Sequence, residues 1–218
     1  MNGHVRKVMF LVALLAGSPL VVRAGIIPVY TAPGIDTEGI VGSAVLPTTT
    51  DYFGMEIIAN ATSAGSGEIL FYNGNTSLDG YGLYLDAGFW SAFFGGVSFF
   101  GYAPETPDTA TALALVDDGG IATVYLDRVA QGGTLAGYPN APDNSYPSDS
   151  LTIGMDIDSN YIFQGTLSDA EIFTFSPGGF SPSDLEDVVP EPSTLALALA
   201  GMAALALAGY ARRRHATC

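Results

Sequence analysis

The chain has 218 residues, with 22 acidic against 7 basic side chains and a formal net charge of −15. That length fits one domain with appendages, and an apolar share of 48% excludes a disordered acidic tail. The shortage of basic side chains excludes a nucleic-acid binder, and one Cys with two His excludes a disulfide framework and the usual Cys/His zinc cage.

The charges are segregated along the chain. Arg6, Lys7, Arg23 and Arg212 to Arg214 stand at the two ends. Residues 25–190 keep 21 acids and one base, Arg128, a formal balance of −20. At the N-terminus, residues 1–7 (MNGHVRK) are a short positive region, and residues 8–22 are apolar, broken by Ser18-Pro19. Val22-Arg23-Ala24 then offers small residues at signal-peptidase spacing. Residues 1–24 are therefore expected to be a signal peptide cut after Ala24. The apolar run is short against the ~20 residues of a spanning helix.

Short β-rich runs follow at 53–59, 67–73, 80–86, 89–94, 97–102, 111–117, 121–127, 151–157 and 165–175. Each is rich in β-branched and aromatic residues and is bounded by Gly, Pro, Asn or Asp. In 121–127, Ile121, Thr123, Tyr125 and Asp127 alternate with Ala122, Val124 and Leu126, the period of a half-buried strand. Asp117-Asp118-Gly119-Gly120 predicts a tight hairpin turn. Trp90 is expected in the core. No sustained helical stripe occurs between the termini. Many short strands with close turns predict an all-β sandwich or barrel, and a chain near 150 residues buries roughly 70% of its surface without staples.

Two segments of the body are candidate sites. Residues 131–150 form a long loop, and loops beyond ~12–15 residues are often functional. Tyr138, Asn140, Asp143, Asn144 and Tyr146 give it the flat rings and amide or carboxylate groups that suit sugar faces and hydroxyls. Asp156, Asp158 and Asn160 have the opening spacing of a calcium loop. Tyr161 stands where that loop needs Gly, and Leu167 where it needs a bidentate acid, so the loop is not an EF-hand. Acids at strand ends also serve simply as turn formers. Calcium is the one cofactor the composition suggests.

Residues 193–211 are apolar or small and uncharged, and Arg212, Arg213 and Arg214 follow at once. This run predicts a transmembrane helix, with the Arg cluster on the cytoplasmic side. Pro190, Glu191 and Pro192 precede it, and paired prolines hold that stretch extended.

This ending resembles the bacterial PEP-CTERM sorting signal, a segment also called an ice-binding protein C-terminal domain. Pro190, Glu191 and Pro192 match its triplet, and Arg212 to Arg214 match its basic cluster. The resemblance implies signal peptidase and exosortase as processing partners. It also implies an inner-membrane intermediate and delivery to the cell surface or extracellular matrix. The expected organisation is 1–24 signal peptide, 25–187 globular domain and 188–218 sorting signal, with the motif at 189–192, the spanning run at 193–211 and the Arg cluster at 212–214.

The second half of the body, ALALVDDGGIATVYLDRVAQGG, LTIG and FQGTLSDAEIFTFSPGGFSPSDL, resembles the LamG-like, concanavalin A-like pattern. Tyr125 and Asp127, Ile153 and Gly154, and Phe163, Gly165, Asp169 and Glu171 fit three of its strands, and GNTSLDGYGLYL at 74–85 fits an earlier one. The resemblance implies a two-sheet antiparallel jelly roll. Two departures stand out: Thr109 to Ala112 replace a region that often holds Trp and His, and Arg128 replaces the Gly after Tyr-x-Asp.

Laminarinase-type enzymes of this fold carry Glu-x-Asp-x-x-Glu, yet no Glu here has Asp two positions on. Asp169 and Glu171 put two carboxylates on one strand face, where the plain reading is a solvated edge. The sequence thus leans to a non-catalytic, lectin-like surface or matrix protein that engages polysaccharide or another surface component. A secreted glycoside hydrolase or lyase is an alternative; it would need two carboxylates ~5–9.5 Å apart in a cleft. A structural envelope protein without a small ligand is a third reading. A balance of −20 repels polyanionic sugars unless divalent cations bridge.

Overall fold

The computed structural model describes residues 25–33, 39–45, 51–63, 65, 67–76, 79–95, 98–131, 135–136, 150–155 and 161–188. The described strands are β1 (Ile26–Ala32), β2 (Gly39–Ser43), β3 (Tyr52–Ala61), β4 (Glu68–Asn75), β5 (Asp79–Asp86), β6 (Phe89–Phe94) and β7 (Ser98–Pro104). They continue with β8 (Thr111–Asp118), β9 (Ile121–Leu126), β10 (Val129–Ala130), β11 (Leu135–Ala136), β12 (Ser150–Ile153) and β13 (Gly165–Phe175). One sheet has the order β1-β13-β3-β8-β9-β10, with β11 also on β9; the other has β2-β12-β4-β5-β6-β7. The strand pairings are antiparallel. The protein is an all-β jelly-roll sandwich, and the strand runs of the sequence fall on its sheets.

Period-2 alternation builds the core between the sheets. Phe53, Met55, Ile57 and Ala59 of β3 point inward with Leu113 and Leu115 of β8. They meet Tyr81, Leu83 and Leu85 of β5 and Trp90, Ala92 and Phe94 of β6. Rings lock the layers together: Phe53 and Tyr81 have centroids 4.5 Å apart. Each large side chain fully buried here contributes roughly 1.5–3 kcal/mol. Trp90 is in the core as expected, 1% exposed. Among the described residues Asn73, 0% exposed, is the one buried amide side chain. Its Nδ2 donates to Val45 O at 2.7 Å and to the Tyr81 hydroxyl at 2.8 Å, and its Oδ1 accepts from Val45 N at 2.8 Å. Burial pushes the Tyr81 phenol upward from its ordinary range, against the opposing Asn73 hydrogen bond.

The Gly119-Gly120 turn between β8 and β9 has φ of +67° and +82°, a geometry that glycine adopts without strain. Other segments differ from the expected pattern. β1 and β2 carry no clear alternation, and Pro28 sits in β1. β1 is an edge strand, where a missing N–H is tolerated and also blocks further pairing. The strand expected over 151–157 stops at Ile153, because Gly154 turns to φ +74°. In β13 the register shifts between Ser168 and Glu171, with Asp169 at φ +53°. The extra residue falls between Leu167 and Ala170, which both face the core, so Asp169 (exposed) and Glu171 (half-buried) still flank buried Ala170 as the spacing predicts.

Candidate functional site

The face of the six-stranded sheet away from the core carries a second aromatic group. Thr152, Tyr72, Gly82 and Phe93 are successive cross-strand partners on β12, β4, β5 and β6. Tyr84 of β5 stands opposite Ser91 of β6, two pairs further along and so on the same face. The rings form a triangle: Tyr72–Tyr84 5.9 Å, Tyr84–Phe93 5.4 Å and Tyr72–Phe93 6.3 Å between centroids. Two of these pairs are edge-on, the arrangement that ring quadrupoles favour.

Glycine makes this group possible. A Cβ at Gly82 would lie 2.2 Å from the Tyr72 ring, and one at Gly80 would lie 3.0 Å from it. Tyr72 therefore lies across β5 and donates its hydroxyl to Asp79 O at 2.8 Å. Tyr72 and Tyr84 are buried, while Phe93 is half-buried and is the accessible member. Ser91 Oγ is buried without a hydrogen-bond partner. The signal was present in GYGLYLD, where alternation sets Tyr84 with Gly80 and Gly82 against Tyr81, Leu83 and Leu85. Sequence reasoning alone placed no function on Tyr72, Tyr84 or Phe93.

A body with one basic side chain must settle its buried acids without cations. It does so with peptide N–H groups. Glu56 Oε2 accepts from Glu186 N at 2.8 Å and Glu68 Oε2 from Gln164 N at 3.0 Å, and the exposed Asp127 does likewise, its Oδ1 accepting from Ala112 N at 2.9 Å. Asp117 Oδ1 accepts from Gly120 N at 2.8 Å, but its Oδ2 has no partner. Burial raises the Asp117 carboxyl to about 6, with Asp51 and Asp118 adding to the rise and the Gly120 hydrogen bond opposing it. Glu105 is also raised, by desolvation and then by the nearby Asp108 and Glu68 charges. Asp117 and Asp127 serve turns, and Glu56, in mid-strand on β3, holds the segment that follows β13. Among the described residues no group of three or more His, Cys, Asp or Glu could hold a metal ion.

A third feature lies on the opposite sheet. After β13, residues 176–188 run back over the outer face of the seven-stranded sheet. Leu185 is buried there against Ile26, Ala114, Val116, Phe173 and Phe175. Phe180 packs on Tyr125 and Phe175, at 5.7 and 5.3 Å between centroids. A capping box turns the strap: Ser181 N donates to Asp184 Oδ2 at 2.8 Å. Its far end is held by Arg128, which donates from Nε to Leu185 O at 2.8 Å and from Nη1 to Asp187 Oδ2 at 3.1 Å. Arg128 sits at φ +68° after Asp127 at φ +45°, between β9 and β10. A left-handed Arg costs about 1–2 kcal/mol, which the glycine of the resembling pattern would avoid.

The candidate site residues singled out from sequence are not among those described. Tyr138, Asn140, Asp143, Asn144 and Tyr146, and Asp156, Asp158 and Asn160, are outside the described residues. So are Ala24, Pro190, Glu191, Pro192 and Arg212 to Arg214. Among the described residues no helix is long and apolar enough to cross a membrane; the runs at 8–22 and 193–211 are not among them.

The architecture is that of carbohydrate-binding jelly-roll domains. Domain 4 of a Geobacillus stearothermophilus GH43 extracellular arabinanase, solved with arabinotriose, superposes with TM-score 0.51 at 15% identity, over 63% of this chain and 66% of that one. The CBM40 domain of the Ruminococcus gnavus IT-sialidase, bound to α2,3-sialyllactose, superposes with TM-score 0.53 at 14% identity, over 70% of this chain and 96% of that one. The leech intramolecular trans-sialidase superposes with TM-score 0.53 at 14% identity, over 71% of this chain but only 27% of that enzyme. The likeness is thus to one domain of such enzymes, and at these identities it is one of fold. No curated protein matches in sequence. Residues 188–214 match the PEP-CTERM protein-sorting motif. That motif marks the chain for exosortase sorting and implies export to the cell surface.

Proposed function

We propose that this protein is a non-catalytic, lectin-like binding protein of the bacterial surface or extracellular matrix, engaging neutral polysaccharide. The observation that carries the reading is a carbohydrate-binding-module fold joined directly to a surface-sorting motif. The aromatic triangle supports it. Its half-buried member, Phe93, stands on a sheet face that does not fill the core between the sheets, where a ring can meet a sugar. Phe93 would supply one ring, and loop residues Tyr138, Asn140, Asp143, Asn144 and Tyr146 would supply further rings and hydrogen-bonding groups.

Charge selects among sugars. Gripping a sugar carboxylate calls for an arginine fork. The body's one base is engaged with Leu185 and Asp187, so a sialoside-type ligand is disfavoured. A calcium ion at Asp156, Asp158 and Asn160 would be structural or would bridge hydroxyls. Removal of residues 1–24, transit through a membrane-held intermediate and cutting near Pro190 to Pro192 complete the route. Affinity electrophoresis of the mature protein through gels cast with neutral polysaccharides tests the binding. Retardation by at least one is expected, and free migration through all, by a folded protein with and without calcium, refutes the reading. A thermal melt with calcium and then EDTA tests the metal: a rise reversed by chelator is expected.

A further inference from the structure

The Arg128 clamp lies at the junction between the folded body and the sorting motif, and three observations converge on it. First, Arg128 is the one basic side chain in residues 25–190, and its hydrogen bonds to Leu185 and Asp187 both fall on the strap. Second, it is held at φ +68°, a conformation costly for a side chain of its kind. Third, Glu56 holds the residue between those two contacts through Glu186 N. Arg128 and Glu56 line one small cleft together with Leu185 and Glu186 of the strap. Residue 188, where the motif match begins, follows the last clamped residue directly.

We propose that Arg128 is a positioning residue for C-terminal processing: by pinning residues 185–187 to the body it restrains access of the sorting protease to the motif that follows. The proposal rests on the exosortase reading. Chain geometry gives its direction. Pro190 is three steps along the chain from Asp187, at most ~11 Å when extended, and Ser193 is six steps, at most ~22 Å. With the clamp closed, the folded body is held against the membrane edge where the motif would be cut. A protease that reads an extended segment needs free backbone before its cleavage point. Opening the clamp frees the chain after Leu185, which stays packed on the sheet, and so adds about two residues, up to ~7 Å, of extended chain before the motif. Processing thus proceeds faster from the opened state, and closure delays release of the folded protein.

The test follows precursor conversion by pulse-chase in cells of a PEP-CTERM host, using the full chain, with Arg128→Ala and Asp187→Asn beside wild type and a strain lacking the sorting protease. Asp187→Asn is expected to convert about two- to five-fold faster, the worth of an exposed ion pair, and Arg128→Ala about tenfold faster. Asp187→Asn should leave the melting temperature of the body within about 2 °C, which separates a change in access from a change in folding. If Arg128→Ala fails to accumulate, Asp187→Asn decides alone. Unchanged or slower conversion overturns the clamp while leaving the sorting reading intact. Conversion that persists without the protease overturns the sorting reading, and the proposal with it.

Discussion

Replacing Asp117 by Asn should stabilise the protein at neutral pH and do nothing in acid. Asp117 is fully buried, its Oδ1 accepts from Gly120 N and its Oδ2 has no partner. Its carboxyl is raised from 3.8 to about 6, first by desolvation. Below about pH 3.8 both the folded and unfolded chains hold the proton, and the group is neutral in its effect. As pH rises through the window between 3.8 and about 6, the unfolded chain gives up its proton first, and stability falls. Above about 6 the whole penalty is present. At about 1.4 kcal/mol for each pH unit of that window, the penalty has a ceiling of about 3 kcal/mol. The carboxamide keeps an acceptor for Gly120 and carries no charge beside Asp51 and Asp118. Urea unfolding at about pH 3 and about pH 7.5 should give Asp117→Asn a gain of about 2–3 kcal/mol at the higher pH and close to none at the lower. Comparing variant with wild type at each pH cancels the titration of the other acids. A loss at the higher pH, or an equal gain at both, would refute the reasoning.

Other substitutions probe the remaining features. Asn73→Ala strips Val45 and the Tyr81 hydroxyl of buried partners and should cost about 2–4 kcal/mol in chemical denaturation. Gly82→Ala drives a methyl to 2.2 Å from the Tyr72 ring and 2.6 Å from Phe71 O. Since backbone cannot yield, a loss of about 1–3 kcal/mol in stability is expected, read by thermal melting. Phe93→Ala should weaken retention by a bound polysaccharide about three- to tenfold while the far-UV spectrum is unchanged. Equal retention would remove Phe93 from the binding face.

The strands were legible because their residues alternate and their turns carry Gly, Asp and Asn. The Gly119-Gly120 hairpin and buried Trp90 follow from local chemistry alone. β1 was not legible, because IIPVYTA has no alternation; it is a strand only because Phe173 and its neighbours on β13 pair with it. The bulge at Asp169 is likewise a property of two strands rather than one. Arg128 was visible as the body's lone base and as a departure from glycine, yet its role needed the strap, which returns 57 residues later in the chain. The aromatic triangle was half legible: alternation gives Tyr84 its face, but only the pairing of β4, β5 and β6 brings Tyr72 and Phe93 beside it.

The central claim is that a surface-sorted jelly roll binds neutral glycan. Its most direct test is a glycan array probed with the mature protein at physiological salt, with neutral oligosaccharides printed beside sialylated ones. The account predicts binding confined to neutral glycans and weakened by Phe93→Ala. Binding to sialosides, or to no glycan by a protein shown to be folded, would contradict it.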